Sequence, residues 1–420
     1  MSRVKTYLIP IATLAGMIVL ATLLGTAINS VPRSLIHDHA VATFDKINAD
    51  NNHPLMQGDC LYHLDKFTDR LMCNITMSAD DSQPLRSAML NPMHLRDSRS
   101  HVEETTLWVH TGQWDFPIRQ YGRYWHGYEV PLTTLLLFTD YSGIRVVNFI
   151  LYFVLMLAAL WLTWRRCSPA MAIALLIPIL ITASPILVPL AMQYIGCHII
   201  MFAAIIVALL IPREKGGQYV CAASFFVIVG AVTAFIDLLT TPVITLGVPA
   251  VVYIARHGKE DGRLRLLLTI CASWGIAYAV MWSSKWLLAN MLTGVDVLSD
   301  ALYRARYRSI GDANDEQIQI TTGSIVAHYA SKITPTLAAA GLAALGIIVA
   351  VMRLAAGSWQ RLRRHAWMLA IAALPLLWFS VMTQHTIVHF YMTWRALMVT
   401  IFALTAYIFL TVRRKELPDT

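Results

Sequence analysis

The sequence predicts an all-α polytopic membrane protein, a bundle of about ten transmembrane helices with a large hydrophilic segment after the first. Three observations lead to this prediction: the composition, the length of the apolar runs and the placement of the basic residues. Of the 420 residues, 57% are hydrophobic and only 14% are charged, whereas a soluble domain carries about 25% charged residues. A chain with so little charge is expected to lie in a membrane.

Ten apolar runs are long enough to be membrane spans, because a hydrocarbon core about 30 Å thick needs about 20 residues of helix. The first run follows the basic residues Arg3 and Lys5. It is longer than the apolar region of a typical cleaved signal peptide, so an uncleaved signal-anchor is the favoured interpretation. The predicted spans cover residues 7–28, 143–164, 169–187, 195–211, 219–236, 238–255, 266–286, 335–352, 366–382 and 392–412.

The positions of the basic residues give this topology an orientation. If the N-terminus is cytoplasmic, every connection on the inner side is basic, and the short outer connections near 188–194, 237 and 383–391 have no Lys or Arg. We therefore expect a multi-pass plasma-membrane protein with both termini in the cytoplasm. The inner basic residues then explain the net charge of +8, so no nucleic-acid partner is expected. The inner residues are Arg165, Arg166, Arg213, Lys215, Arg256, Lys259, Arg263, Arg265, Arg353, Arg361, Arg363, Arg364, Arg413, Arg414 and Lys415.

The spans divide the chain into six parts. The long segment after the first helix is expected to be extracytoplasmic and to contain amphipathic helices. The parts are the signal-anchor (1–28), this first outer segment (29–142), the second to seventh spans (143–286), a second outer segment (287–334), the last three spans (335–412) and a cytoplasmic tail (413–420).

Cysteine spacing and motifs exclude several classes of chemistry. The first outer segment contains Cys60 and Cys73, which an oxidising exterior would allow to form a disulfide, although two unlinked thiols are the alternative. The chain has no CxxC, no HExxH and no glycine-rich phosphate loop. We therefore expect no zinc site, no ATP-driven activity and no cofactor.

The second outer segment has three arginines in close sequence, Arg304, Arg306 and Arg308. One interpretation is a solvated amphipathic helix on the membrane surface. The other is an anion site, since neighbouring guanidinium groups bind phosphate or pyrophosphate well.

Ionisable residues at the outer ends of spans are a further candidate set, because charge near the hydrocarbon is costly. Each has a structural alternative: Asp237 could cap a helix, Lys285 could reach the interface, and His385 and His389 could be interface residues. Their common membrane level, which Arg395 shares, favours a joint site. A helix over 385–395 would place both histidines on one face, but no third metal ligand has a suitable spacing.

Within the first outer segment, Asp65 and Asp69 stand out because their spacing of four places both carboxylates on one helix face. Neighbouring apolar residues predict an amphipathic helix lying on the membrane. A carboxylate in that position could act as a general base toward a hydroxyl group. A plain solvated helix face is the alternative.

An aromatic stretch, Tyr-Gly-Arg-Tyr-Trp-His-Gly-Tyr at 121–128, closes this segment. It suits a membrane interface, and it also suits sugar binding, with Arg123, His126 and Tyr128 as candidate contacts. Arg145 and Asn148 lie about one turn inside the second span, where an interface role explains them less well.

The layout is similar to the GT-C superfamily of membrane glycosyltransferases, which have an inward N-terminus, one span, a large acidic outer loop and then a helix bundle. Five segments also look like motifs of an uncharacterised bacterial membrane-protein family with that layout. They are Asp-Lys-Phe-Thr-Asp-Arg-Leu-Met (65–72), Arg-Tyr-Trp-His-Gly-Tyr (123–128), Ile-Arg-Val-Val-Asn (144–148), Asp-Leu-Leu-Thr-Thr-Pro-Val-Ile-Thr-Leu-Gly-Val-Pro (237–249) and His-Thr-Ile-Val-His-Phe-Tyr-Met-Thr-Trp-Arg-Ala-Leu (385–397).

The resemblance implies a reaction and a base. GT-C enzymes transfer a sugar from a polyprenyl-phosphate donor with inversion, and a first-loop carboxylate deprotonates the acceptor. By position, this base would be Asp69 or Asp65. The chain departs from many members because no adjacent acidic pair follows the first span. His37-Asp38-His39 stands there instead, which makes Asp38 a third candidate.

We therefore expect a membrane glycosyltransferase that needs no metal and acts on a glycan or glycolipid acceptor at the cell envelope, with membrane lipids as its surroundings. The alternatives are a secondary transporter or lipid-linked-sugar flippase, disfavoured by the absence of an internal repeat, and a membrane acyltransferase, disfavoured by histidines at the outer edge. Donor-phosphate candidates are Lys285, Arg304, Arg306, Arg308 and Arg395, and the remaining substrate contacts are Arg123, His126, Tyr128, Arg145, Asn148, Asp237, His385 and His389.

Overall fold

The structure, a computed structural model, describes residues 3–49, 62–96, 102–212, 217–310 and 359–411. This part of the chain is mostly helical, and its strands form one antiparallel pair, Pro92–Met93 (β1) with Arg119–Gln120 (β2). Single 3₁₀ turns lie at Arg33–Leu35, Val188–Leu190, Glu260–Gly262 and Trp394–Leu397. The α-helices are α1 (Arg3–Asn29), α2 (His37–Asn48), α3 (Lys66–Ser78), α4 (Pro84–Leu90), α5 (Val102–Thr111), α6 (Glu129–Leu136), α7 (Tyr141–Arg166), α8 (Pro169–Ile181), α9 (Ser184–Leu187), α10 (Met192–Leu210), α11 (Gln218–Ile236), α12 (Val243–His257), α13 (Arg263–Thr293), α14 (Val297–Ile310), α15 (Trp359–His365), α16 (Trp367–Ala372), α17 (Leu374–Val381), α18 (Thr383–Val388), α19 (Phe390–Thr393) and α20 (Met398–Thr411).

Six segments of the described ranges are long and apolar enough to cross a membrane, so the chain is an all-α protein of the multi-pass type. Each overlaps a predicted span. Two further predicted spans, 238–255 and 366–382, correspond to the shorter apolar helices Val243–His257 and Trp367–Val381. The predicted span 335–352 lies outside the described residues, so the count of ten stays a prediction. The six segments are Leu8–Asn29, Tyr141–Arg166, Met192–Leu210, Gln218–Ile236, Glu260–Thr293 and Phe390–Thr411.

The predicted span 169–187 is not straight: Pro169–Ile181 and Ser184–Leu190 meet at 61°. The helix begins regularly, with the Ser168 side chain accepting a hydrogen bond from the Met171 amide at 3.2 Å. It breaks at Ala183, whose φ of 49° is left-handed, and Pro185 follows without an N–H group to continue the ladder. The bend leads into the 3₁₀ turn Val188–Leu190, which reaches the candidate site described below.

Long helices pack side by side around one large apolar core. α11 lies between α1 and α13, α10 packs against α7 and α12, and α20 packs against α8 and α16. The core includes Phe202, Phe226 and Ile254, which are buried completely. The ends of α1, α11 and α13 therefore lie side by side at the same end of the bundle as the starts of α7, α10 and α12.

The described part of the segment between α1 and α7 folds into five short helices with a small core of their own. Phe44 and Ile47 of α2, Met72 of α3 and Leu136 of α6 pack with Tyr141 at the start of α7. This core covers the end of the bundle at which α1 ends and α7 begins. The segment is thus docked onto the spans instead of lying beside them.

One close approach ties this segment to α11. The Gly127 amide donates a hydrogen bond to the Phe235 carbonyl oxygen at 2.7 Å. A Cβ atom at Gly127 would lie 2.6 Å from that same oxygen and would also meet the Phe235 ring. The position therefore needs a residue without a side chain.

We expect Gly127→Ala to lower the melting temperature of the detergent-solubilised protein by several degrees, because overpacking costs about 1–3 kcal/mol. Gly275→Ala is the matched control, since a Cβ there meets nothing within 4 Å and alanine favours the helix more than glycine does. Equal melting of Gly127→Ala and the unchanged protein would contradict this account of the docking.

Candidate functional site

The predicted acidic pair lies on α3, but only one of its members is inside the helix. Asp65 is the N-cap residue, and its side chain accepts hydrogen bonds from the Thr68 amide at 2.9 Å and the Thr68 hydroxyl at 2.7 Å. Aspartate favours this position because it accepts from an otherwise unpaired N–H group. The helix does not lie on a membrane surface as predicted, because it packs against α2, α6 and α10 and both acids are 1% exposed.

Asp69 is held by two hydrogen bonds from other parts of the chain. The Tyr141 hydroxyl donates to Oδ2 at 2.5 Å, and the Gln193 amide donates to Oδ1 at 3.3 Å. Burial raises the pKa of Asp69 to about 7, and the hydrogen bond from Tyr141 opposes that rise. The carboxyl group can therefore exchange a proton near neutral pH.

The partner of Asp69 is itself fixed by Arg145, one turn along α7. The Arg145 guanidinium donates to the Tyr141 hydroxyl at 3.2 Å and to the Leu190 carbonyl at 3.1 Å, and it lies 4.2 Å from the centre of the Tyr141 ring. Asn148 donates to the Pro189 carbonyl at 3.4 Å. Both polar residues of this span thus hold the turn that follows the bent helix.

Asp65 reaches the C-terminal part of the chain. The Tyr391 hydroxyl donates to Asp65 Oδ2 at 3.1 Å, and the Tyr391 carbonyl accepts from Arg395 Nη1 at 2.9 Å. The Arg395 guanidinium lies over the Tyr194 ring, 4.5 Å from its centre, and the Tyr194 hydroxyl donates to the His63 carbonyl. Arg395 and the two acids therefore belong to one connected group.

The buried guanidinium of Arg395 is the part of this connected group best suited to bind an anion. It is 1% exposed, yet its Nε and Nη2 atoms have no hydrogen-bond partner among the residues that the structure describes. A buried donor left unpaired costs about 1–3 kcal/mol, and more when it is charged. Gln193 Oε1, in the residue before Tyr194, is also buried and has no partner in the described part of the chain. An anion is the ligand that open guanidinium donors favour.

The two histidines extend this group toward α14. The predicted helix over 385–395 is broken at His389, between α18 and α19, but the His385 and His389 rings still lie 4.7 Å apart. Arg308 contacts His389, with 2.8 Å between Nη1 and Nε2. His385 Nε2 donates to the Leu239 carbonyl at 2.8 Å, while its buried Nδ1 atom has no partner in the ranges that the structure covers.

The structure thus brings together acids from the first segment and cations from distant helices. Such a group can take up a proton at Asp69 and bind an anion at Arg395. We call it the acid–arginine cluster; its members are Asp65, Asp69, Tyr141, Arg145, Gln193, Tyr194, Arg308, His389, Tyr391 and Arg395.

Several candidates lie elsewhere. Arg304 and Arg308 share a face of α14, whereas Arg306 points away from that face, as the helical period requires. Arg306 is exposed. Arg304 faces Asp300, with 3.8 Å between the charged groups. The three arginines therefore do not converge on one anion. Asp38 has a fully exposed side chain whose contact is with His37, so the third candidate base lies outside the cluster.

Lys285 is also separate, in a buried polar network that the sequence analysis did not identify. Its ammonium group donates to the Ala88 carbonyl and, at 3.0 Å, to Asn91 Oδ1. Asn91 and Asn29 donate to the two Glu129 oxygens at 3.1 and 2.9 Å. Burial raises the pKa of Glu129. This network joins α1, α4, α6 and α13 and does not reach the interface as a snorkelling lysine would.

The aromatic segment uses its polar atoms internally. His126 contacts the Tyr128 hydroxyl and the Tyr121 carbonyl, both at 2.9 Å, and Arg123 pairs with Asp300 at 3.1 Å. Burial lowers the pKa of His126 to about 3. These contacts shape the segment around Gly127 instead of leaving groups open for a sugar.

Asp237 has a local role as well. It follows α11, and its carboxylate accepts from the Thr240 amide at 3.0 Å and from the Cys197 thiol at 3.3 Å. Leu239 has a left-handed φ of 64°. Asp237 therefore stabilises the tight turn into α12, which corresponds to the capping alternative.

The described residues show neither a disulfide nor a candidate metal site. Cys73 is a buried, free thiol, and Cys60 lies outside the described residues, so the structure gives the proposed bridge no support. Among the described residues, no group of three or more His, Cys, Asp or Glu side chains could hold a metal ion.

The residues that sequence reasoning missed are mostly tyrosines and amides. Gln193 and Tyr194 form a lone polar pair in an apolar connection, which was an available signal. The sequence carries no such signal for Tyr391 or Glu129. Tyr391 is 326 residues from its partner Asp65, and Glu129 is 100 residues from its partner Asn29.

Comparison with known proteins identifies no relative. No family model matches the chain, and no curated protein or solved structure is significantly similar to it.

For the buried network, we expect Lys285→Met to destabilise the protein by about 3 kcal/mol. The change leaves the Ala88 carbonyl and Asn91 Oδ1 buried without their shared donor, and it removes one of the two cations, Arg33 being the other, that act on Glu129. Adding Glu129→Gln should recover part of this loss, and melting temperatures of the single and double variants measure the coupling. Lys46→Met is the control, since Lys46 is part of an exposed pair with Asp140, and such pairs contribute about 0–1 kcal/mol. Additive losses in the double variant would contradict the coupling.

Proposed function

We propose that the chain is a membrane glycosyltransferase of the GT-C type. It transfers a sugar from a polyprenyl-phosphate donor to an extracytoplasmic glycan or glycolipid, with inversion and without a metal. One observation supports this most directly: a buried carboxyl group that titrates near neutral pH shares a cluster with a buried guanidinium that has two open donors. A carboxylate base to take a proton and a cation to hold a phosphate are the two groups that this transfer needs.

Asp69 is the proposed base. A pKa near 7 suits a general base at neutral pH, because the group is ionised in part and still basic. Asp65 is less suited, since it caps α3 and accepts from Tyr391. Asp69 Oδ1 accepts only a 3.3 Å bond from the Gln193 amide, and a carboxylate oxygen has a second lone pair for an acceptor hydroxyl. Because Asp69 is 1% exposed, the acceptor reaches it when the side chains covering it move apart.

Arg395 is the proposed phosphate ligand. Its Nε and Nη2 donors can form two parallel hydrogen bonds to phosphate oxygens, the geometry that favours arginine over lysine. Arg308, which contacts His389, supplies a second positive charge within the cluster. Charge of this kind, fixed in place before the reaction, stabilises the negative charge that develops on a leaving group.

The proposed reaction balances within these residues. The acceptor oxygen forms a bond to the anomeric carbon as the bond from that carbon to the donor phosphate oxygen breaks. The acceptor proton passes to Asp69, and the electron pair of the broken bond stays on the polyprenyl phosphate, next to Arg395. Attack from the face opposite the phosphate inverts the anomeric centre.

The orientation of the bundle belongs to the same proposal. The basic residues at the far ends of α7, α12 and α13 place those ends in the cytoplasm by the positive-inside rule. The acid–arginine cluster, at the other end, then faces the extracytoplasmic side, where a lipid-linked sugar meets a growing glycan.

A secondary transporter is the second candidate, and the bent pair α8–α9 favours it, since transporters bind substrates at broken helices. The acids of the acid–arginine cluster, however, lie at the start of α3, outside the spanning helices. A transporter would move a substrate across the vesicle membrane without breaking a sugar–phosphate bond. The transfer assays below measure cleavage of that bond and so distinguish the two functions.

We expect Asp69→Asn to reduce sugar transfer at least 100-fold, the usual contribution of a general base, with transfer measured in proteoliposomes from a panel of polyprenyl-phosphate hexoses. In the unchanged protein, the rate at pH 6 should be about a tenth of that at pH 8, because a base with a pKa near 7 is protonated as the pH falls. Tyr141→Phe removes the bond that lowers this pKa and should shift the profile to higher pH. Loss of transfer in Asp38→Asn, with Asp69→Asn fully active, would transfer the role of base to Asp38.

We expect Arg395→Lys to reduce transfer by about 10- to 100-fold, because lysine keeps the charge but loses the paired donors. Arg306→Gln is the matched control, since Arg306 is exposed on α14. Melting temperatures verify that both variants are folded. If Arg395→Lys transferred at the unchanged rate while Arg306→Gln did not, the phosphate site would have to be sought along α14.

A further inference from the structure

A cavity of about 310 Å³ lies at the end of the bundle opposite the acid–arginine cluster. It forms where α10 and α12 end and α11 begins. Its walls include Gln218, Cys221, Tyr253, Arg256, His257 and Lys259. A cavity of this size matches the lower range of small-molecule sites in proteins.

The walls of this cavity are basic. Arg256, His257 and Lys259 all line it, and none of the lining residues that the structure describes is acidic. The nearest acid in sequence, Glu260, is paired with Arg364 at 2.6 Å. By contrast, Arg165 and Arg166 of α7 are exposed on the surface. The basic residues of α12 therefore surround a cavity, while those of α7 simply face outward.

The position of His257 is fixed. Its Nε2 atom donates to the Ala208 carbonyl at 2.8 Å, and its ring lies 4.5 Å from the buried Tyr253 ring. The side chain thus connects the ends of α10 and α12 and gives one wall of the cavity a defined shape.

The start of α11 adds a second source of positive potential. Gly217 is the N-cap residue, and no side chain caps the helix there. The first N–H groups of a helix have no partner within it, and they form the positive end of the helix dipole. Gln218, the first residue of α11, lines the cavity.

We propose that this cavity binds a phosphate group, supplied by the head group of an anionic lipid or by a free phosphate. Arginine, lysine and uncapped helix N–H groups are the ligands that phosphate favours. Basic pockets between spanning helices on the cytoplasmic side are typical binding sites for anionic head groups. The proposal does not depend on the proposed transfer reaction, which occurs at the other end of the bundle.

Cys221 provides a built-in reporter, because its partly buried thiol lines the cavity. Cys167, at the end of α7, is partly buried to a similar degree and does not line it, so it corrects for the effect of the membrane charge on thiol reactivity. The full-length protein is placed in nanodiscs of phosphatidylcholine, of phosphatidylcholine with phosphatidylglycerol, or of phosphatidylcholine with millimolar inorganic phosphate. Alkylation rates of both thiols are then measured by mass spectrometry.

We expect phosphatidylglycerol to slow alkylation of Cys221 about fivefold relative to Cys167. The double variant Arg256→Gln/Lys259→Gln should lose this protection, and the control Arg165→Gln/Arg166→Gln should keep it. Protection by inorganic phosphate alone would identify the soluble source, and protection by phosphatidylglycerol alone the lipid.

A second measurement covers the case in which the double variant does not fold. Native mass spectrometry of the unchanged protein should find one phosphatidylglycerol molecule retained in preference to phosphatidylcholine, or phosphate bound instead. Absence of protection and of retained phosphate in every arm, or equal protection in the folded double variant, would overturn the proposal.

Discussion

The hydrogen bond from the Tyr141 hydroxyl to Asp69 is the contact on which the rest of the site depends. It joins α3, a helix outside the spans, to the first residue of α7, a helix within them, over 2.5 Å. A buried carboxyl group without such a donor would carry the full cost of desolvation. With it, α3 can dock into the bundle and carry both acids below the surface. Arg145 holds the Tyr141 hydroxyl in turn and so fixes the direction of the bond.

The docking of α3 has a consequence at the other end of the chain. Asp65 is brought to Tyr391, and through the Tyr391 carbonyl to Arg395. Within the described part of the chain, no ion pair joins Asp69 to Arg395, so these two charges do not neutralise each other. Arg395 keeps two open donors, and Asp69 keeps a pKa near neutral. An arrangement of separate, unneutralised groups is what proton transfer and anion binding both need.

The sequence predicts some of these features and not others, for physical reasons. The spanning helices and the turn at Asp237 follow from apolar run length and from a polar residue between two runs, which are local signals. The common level of the ionisable residues at the span ends predicts that His389 and Arg395 lie near the acids. The same argument fails for Asp237 and Lys285, whose partners are local or belong to a separate network. The break at Ala183 and the capping role of Asp65 were missed, because they depend on backbone conformation. Contacts of Glu129 and Tyr391 depend on packing across the whole chain.

The protonation state of Asp69 tests the account most directly. Infrared difference spectra between the unchanged protein and Asp69→Asn isolate the carbonyl band of this one carboxylic acid, which is present only in the protonated form. The account predicts a band at pH 5 that disappears as the pH rises through about 7. A carboxylate already ionised at pH 5, with no such band, would show that Asp69 is solvated and would contradict the buried cluster.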